Sequence, residues 1–223
     1  MANKKTSSEF STESLDKTTA FIEKNKKILL GIVAALIIII GGYYGYQQLV
    51  VKPNTEKANY LLSKGQNYFN MGNFDTALNG DKAGFDGFVA LAKKFSGTKA
   101  GNLANLYAGL SYAQNGDAEK AISYLEKYDT KGDALVSPAA IAALGNCYAK
   151  VGKVDKAIEL LKKAAKDSDS NSLSPIFLQQ AGQLLESQNK PKDALKLYQE
   201  IKEKYGRSEI GAGIDKFIER VSE

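Results

Sequence analysis

The chain has 223 residues, of which 43% are hydrophobic and 25% charged, with a formal net charge of +5. From Pro53 onward 23 basic residues face 21 acidic ones, so most of the positive charge lies before that point. A nearly neutral main body argues against nucleic-acid binding, which needs a concentrated basic surface. The chain has no histidine, the commonest general base and zinc ligand, which argues against catalysis and a metal site.

The N-terminal segment has the composition of a disordered region. Serine, threonine, lysine and glutamate dominate it, and Phe10 and Leu15 are the large apolar side chains between Met1 and residue 20. Such a segment cannot bury enough apolar surface to fold. We expect residues 1–27 to form a disordered cytosolic tail.

An uncharged segment follows the tail, at residues 28–46, and ten of its nineteen residues are isoleucine, leucine or valine. As a helix it would be about 28 Å long, close to the hydrocarbon thickness of about 30 Å. Its apolar residues favour insertion by about 3–6 kcal/mol. We therefore expect residues 28–51 to be a transmembrane anchor. A cleaved signal peptide is the main alternative, but 27 residues precede the apolar run and its C-terminal junction lacks the small residues of a cleavage site.

Flanking charge predicts how the anchor is oriented. Lys24, Lys26 and Lys27 precede the apolar segment, whereas only Lys52 directly follows it. Cytoplasmic flanks carry the excess of lysine, so we expect a cytoplasmic N-terminus and a C-terminal part on the other side of the membrane. Gly41 and Gly45 form a small-xxx-small pair that would allow two anchors to pair as a homodimer.

A set of four residues, at successive steps of three, four and five positions, then recurs four times. The sets are Gly65, Tyr68, Gly72, Ala77; Gly109, Tyr112, Gly116, Ala121; Gly145, Tyr148, Gly152, Ala157; and Gly182, Leu185, Asn189, Ala194. The opening glycines are 44, 36 and 37 residues apart, close to the length of a two-helix repeat. Apolar residues at three- and four-residue steps predict two helices in each set, with a glycine turn between them and small residues where they approach.

At these residues the sequence resembles the tetratricopeptide repeat family, most closely from Ala143 to Ala157 and from Leu106 to Leu125. The resemblance covers residues 56–207. It implies an all-helical solenoid with a binding role. Together with the anchor, this gives an all-α fold in which a single transmembrane helix is followed, over residues 53–223, by a solenoid of four helical hairpins and a capping helix. Because histidine and the common catalytic motifs are missing, we expect protein binding without an enzymatic activity, a cofactor or a metal.

Two segments depart from the repeat pattern. Phe85, Phe88, Leu91 and Phe95 recur at helical steps after the first set, and we expect this stripe to pack inside the array and lengthen the second helix of the first hairpin. An exposed docking face is the alternative. The apolar residues from Ile210 to Val221 lie on one helical side and predict a cap for the open end of the solenoid.

The family turns its first helices toward a concave groove, and the resemblance assigns the groove positions. They are Asn59, Leu62, Gln66, Phe69 and Asn70 in the first unit; Leu103, Leu106, Leu110 and Gln114 in the second; Asn146 and Lys150 in the third; and Gln179, Gln183 and Glu186 in the fourth. Side-chain amides are frequent and charges rare, unlike the basic clamp with which some family members hold a C-terminal carboxylate. Amides donate to and accept from a peptide backbone, so we expect extended polypeptide as the ligand.

The combined architecture resembles bacterial inner-membrane proteins of the tetratricopeptide class, including the ancillary subunit of the protein-export translocon. This implies a periplasmic adaptor for protein–protein interactions at the inner membrane, with exported polypeptides, chaperones or the translocon as partners. Two alternatives stay open: a structural scaffold for assembly of an envelope complex, and an import-type receptor whose array faces the cytosol.

Overall fold

The computed structural model describes residues 7–130 and 132–222, and the side chains of residues 17–130 and 132–222. The chain divides into two compact units, with the boundary between Glu56 and Lys57. Every regular element in the described residues is helical, which confirms the predicted all-α class.

The first unit consists mainly of helix α1, Ser7–Tyr46, which is followed by a π-helical turn at Gln47–Val51. The side chains of its apolar segment are exposed, as for Ile38, which is 74% exposed. Residues 7–27 are helical, in contrast to the expected disorder; residues 1–6 of the expected tail lie outside the described residues. A helix nucleated in the apolar segment extends into the preceding residues without forming a second costly first turn.

Eleven further helices follow in the described residues. They are α2 (Lys52–Asn70), α3 (Phe74–Asn79), α4 (Gly87–Lys94), α5 (Lys99–Gln114), α6 (Ala118–Leu125), α7 (Val136–Lys150), α8 (Val154–Ser168), α9 (Ser174–Ser187), α10 (Pro191–Tyr205), α11 (Glu209–Ala212) and α12 (Asp215–Ser222). Helices α5 and α6, α7 and α8, and α9 and α10 pack as consecutive hairpins, and each hairpin packs on the next.

Helices α2 and α3 form the first hairpin, so there are four in the described residues, and their turns share the same two backbone hydrogen bonds. In the third hairpin the amide of Lys153 donates to the carbonyl of Tyr148 (2.9 Å), and the amide of Gly152 donates to the carbonyl of Ala149 (3.0 Å). This arrangement needs a left-handed residue after the helix. That residue is Gly72, Gly116, Gly152 or Asn189 in the four turns. Asparagine tolerates this conformation better than other non-glycine residues, so the fourth turn keeps the same geometry.

In the last three sets the opening glycines lie where the two helices of a hairpin meet, and Gly65 of the first set lies against Phe85 and Phe88. A Cβ atom on Gly182 would lie 2.4 Å from Cε1 of Tyr198, and one on Gly109 would lie 2.6 Å from Cγ of Leu125. The four alanines of the sets are fully buried: Ala77, Ala121, Ala157 and Ala194. Larger side chains at these positions would force the helices apart.

The aromatic stripe after the first set is buried, with Phe85, Phe88, Leu91 and Phe95 at most 6% exposed. The prediction that it packs inside the array is confirmed. It does not lengthen the preceding helix, because α3 ends at Asn79 and the stripe lies mainly on the separate helix α4.

A loop organised by Asp81 joins α3 to α4. The Asp81 carboxylate accepts hydrogen bonds from the amides of Ala83 (2.8 Å) and Phe85 (3.0 Å), and from the Tyr68 hydroxyl (2.8 Å). Lys64 lies 2.6 Å from the same carboxylate and, with these donors, holds the pKa of Asp81 well below its ordinary value. These contacts favour a turn over a continued helix.

The C-terminal residues cover the open end of the array, as predicted. Ile214 and Phe217 are buried in one cluster with Tyr198 and Ile201 of α10. The cap consists of two short helices, α11 and α12, because the chain turns at Gly213.

We expect Gly182→Ala to lower the free energy of unfolding by about 1–3 kcal/mol, since the added methyl overpacks against the buried ring of Tyr198. Gly213→Ala is the matched control, because a Cβ there has no atom within 4 Å. Urea unfolding of the full-length protein, followed by circular dichroism, measures both. Equal stability of the two variants would contradict the close-approach role of Gly182.

Candidate functional site

The first helices of the last three hairpins carry almost no charge. Lys99, Lys150 and Glu186 are the only charged residues of α5, α7 and α9, respectively. The second helices of the last two hairpins are much more charged, with seven charged residues out of fifteen in each of α8 and α10. The side of the array formed by α5, α7 and α9 is therefore close to neutral.

An open depression of about 550 Å³ crosses this neutral side. Its lining residues are Leu110, Ala113, Gln114, Ala143, Asn146, Cys147, Lys150, Gln180, Gln183 and Leu184. The less exposed ones are mostly apolar, and most of the exposed ones are carboxamides. Asn146 Nδ2 donates to Gln180 Oε1 at 3.4 Å, which links α7 to α9.

Five of the sequence-predicted groove residues line this depression: Leu110, Gln114, Asn146, Lys150 and Gln183. They come from three hairpins, and stacking alone brings them together. Sequence reasoning did not select Gln180, which lines the depression, whereas its neighbour Gln179 does not. Gln180 precedes Gln183 by three residues, so the two lie on one face of α9.

The candidates of the first repeat lie on α2, away from the depression. Asn59 and Asn70 are exposed. Gln66 Nε2 donates to the Tyr107 hydroxyl at 3.0 Å, and the Phe69 ring packs edge-on against the Tyr107 ring with centroids 5.3 Å apart. Gln66 and Phe69 thus hold α2 against α5.

Three leucines among the candidates serve the core. Leu62 and Leu106 are 7% and 5% exposed, and Leu103 packs against two hydrophobic clusters. Each first helix contacts its own partner and the neighbouring hairpin, so apolar residues repeat at the same three- and four-residue steps on several sides. The spacing alone could not separate these sides from the groove.

The comparisons agree with this architecture. The model of the family described as tetratricopeptide repeat-like domain matches residues 19–219. The chain belongs to this family. Its repeats are of a kind that binds other proteins. No curated protein matches the chain.

Two solved structures of the same repeat class are similar to this chain. Both are crystal structures of nearly identical TPR-like repeats of a putative kinesin light chain from Podosopora anserina, one of them of a variant. Their TM-scores are 0.58 and 0.57 at 13% identity, over 75% of this chain and 86% and 85% of theirs. The similarity concerns the tetratricopeptide fold.

Glu186, a sequence-predicted groove residue, holds the cap of this tetratricopeptide array. Arg220 of α12 donates to its carboxylate from Nε (2.9 Å) and from a terminal nitrogen (2.7 Å), and the Tyr198 hydroxyl donates to it as well. Burial alone would raise the pKa of Glu186, but the hydrogen bonds from Arg220 and Tyr198 bring the pKa below its ordinary value. All of these contacts tie α9 to α10 and α12.

The tyrosines of the repeated sets have a structural role too. The Tyr148 hydroxyl donates to Glu126, and Lys156 donates to the Tyr148 oxygen at 2.7 Å. The hydrogen bond from Tyr148, with help from Lys156, lowers the pKa of Glu126. The first repeat has a similar arrangement, in which the Tyr68 hydroxyl donates to Asp81 and Lys64 pairs with the same carboxylate. The hydroxyls of Tyr68 and Tyr148 are therefore satisfied within the array and are not free to bind a ligand.

Cys147 lies at the base of the depression and is 3% exposed. Burial raises the pKa of its thiol, so the thiol stays protonated at neutral pH. Cys147 acts as a small apolar packing residue.

Proposed function

We propose that this protein is a membrane-anchored adaptor that holds extended polypeptide segments in the depression across α5, α7 and α9. The observation that carries the proposal is the neutral, carboxamide-lined depression, assembled from three hairpins in a protein-binding repeat family. Exported polypeptides are the proposed clients, with chaperones and the translocon as further partners.

The lining of the depression suits a peptide backbone. A carboxamide both donates and accepts hydrogen bonds, as a peptide group does, so Gln114, Asn146 and Gln183 can bind a chain without reading its sequence. Leu110 and Leu184 add apolar contact beside them. The scarcity of charge on this side favours no strongly anionic or cationic ligand.

The anchor is proposed for residues 28–51, with the repeat domain at 53–223. Among the described residues one helical stretch, within Lys17–Asn70, is long and apolar enough to cross a membrane, and its most apolar window is not buried within the structure. Exposed isoleucines and leucines are stable in lipid rather than in water. Gly41 and Gly45 would allow two anchors to pair, so the proposal includes a homodimer as an option.

The proposed topology places residues 1–27 in the cytosol and the array in the periplasm. Lys24, Lys26 and Lys27 support this orientation through the excess of positive charge on cytoplasmic flanks. A periplasmic array next to the inner membrane would meet polypeptides as they leave the translocon.

Aspartates at Ile37 and Ile38 should abolish membrane insertion. Each carboxylate near the centre of a span costs about 2.5–3.5 kcal/mol, which together offsets the gain of about 3–6 kcal/mol from the apolar residues. The full-length variant should leave the membrane pellet on carbonate washing, whereas the control with leucine at both positions should stay.

Two results would contradict the anchor or its orientation. Retention of the double-aspartate protein in washed membranes would exclude residues 28–51 as the anchor. Protection of the array from protease in intact spheroplasts would reverse the topology and favour the cytosol-facing receptor.

We expect Asn146→Ala combined with Gln183→Ala to weaken binding of an unfolded, carboxymethylated model protein about tenfold, because two backbone hydrogen bonds are lost. Binding is measured by fluorescence anisotropy with the full-length protein in detergent. Gln199→Ala removes an exposed carboxamide from α10, and Asn59→Ala removes one from α2; both controls should bind as the parent does. Equal binding by all variants would exclude the depression as the binding site.

A further inference from the structure

Small side chains on the middle helix create the hollow at the centre of the depression. Ala143 and Cys147 of α7 line it together with Ala113 of α5. Larger residues stand on the helices at either side, Leu110 on α5 and Leu184 on α9. A bulky side chain in place of Ala143 would fill this space.

The apolar surface around the hollow is only partly covered by the protein. Leu110, Ala113 and Ala143 are half-buried against the cluster shared by α5, α6 and α7, and Leu184 is half-buried against the next one. Their remaining surface faces solvent. An apolar side chain placed there would remove this surface from water, which is favourable.

Lys150 is the only charged residue that lines the depression. It is exposed, and no described residue forms an ion pair with it. It lies on the same face of α7 as Ala143, two helical turns further along, about 10 Å away along the helix axis. Its flexible side chain can swing back toward a ligand over Ala143.

An extended segment can reach both positions, because the long side chain of Lys150 can bridge the remaining distance of about 3 Å. Side chains two residues apart in an extended chain point the same way and are about 7 Å apart. A segment with one side chain in the hollow can therefore present the second-next side chain to Lys150. A C-terminal carboxylate would need a cluster of basic residues. A single lysine is enough to pair with one acidic side chain inside a segment.

Resting on the function proposed above, we infer that the depression selects segments in which a bulky apolar residue lies two positions from an acidic residue. The apolar side chain occupies the hollow over Ala143 between Leu110 and Leu184, and the carboxylate pairs with Lys150. The carboxamides bind the backbone between them.

Short fluorescein-labelled peptides of serine and glycine test this selection on the full-length protein in detergent. The parent peptides carry leucine and aspartate two positions apart, in either order; analogues replace the leucine with alanine or the aspartate with lysine. We expect the alanine analogue to bind about tenfold more weakly than the better parent, because the hollow stays unfilled. The lysine analogue should bind about fivefold more weakly.

Two variants assign the preferences to their residues. Ala143→Leu should remove the preference for leucine over alanine and keep that for aspartate, with circular dichroism checking that the array is folded. Lys150→Gln, at an exposed position, should remove the preference for aspartate over lysine and keep that for leucine. Lys99→Gln removes the charge of α5 outside the depression and should keep both preferences.

The outcomes separate this selection from the general function. Equal binding of parent and alanine analogue to the unchanged protein would overturn the apolar pocket, and an unchanged aspartate preference in Lys150→Gln would overturn the carboxylate contact. In either case, weaker peptide binding by the Asn146 and Gln183 variant would still support the general function. Failure of every peptide and of the unfolded model protein to bind would overturn both.

Discussion

The close approach of two helices at a glycine and an alanine is the contact on which the rest of the array depends. A Cβ atom on Gly182 would lie 2.4 Å from Cε1 of Tyr198, and Ala194 on the facing helix is fully buried. Gly109 and Gly145 also lie against the second helix of their own hairpins, whereas Gly65 lies against Phe85 and Phe88. Because these hairpins share one turn geometry, their first helices lie side by side along the depression. The depression exists only as a result of that alignment.

Three tyrosines have a structural role within the array: Tyr68 and Tyr148 of the repeated sets, and Tyr198, which faces Gly182. Each donates its hydroxyl to a carboxylate that also contacts a cation. Such satisfied polar groups stabilise the packing and leave no free donor. The residues that remain available to a ligand are those between the repeated positions, such as Asn146 and Gln183.

Sequence spacing predicted the four turns and the buried alanines, because these positions tolerate few residue types. It did not predict the break at residues 80–86, where the hydrogen bonds of Asp81 outweigh the helical pattern of the aromatic stripe. It also placed Leu106 and Glu186 in the groove. Their actual contacts depend on neighbours distant in sequence, such as Arg220, which the spacing of one helix does not contain.

Photo-crosslinking of the full-length protein in its native membrane tests the central claim most directly. A photoreactive residue at Asn146 lies in the depression, and one at Gln199 lies on an exposed position of α10. If the first helices hold extended polypeptide, Asn146 forms adducts with many different chains and Gln199 forms few. Equal adducts at both positions, or adducts from Gln199 alone, would contradict a binding site on the neutral side of the array.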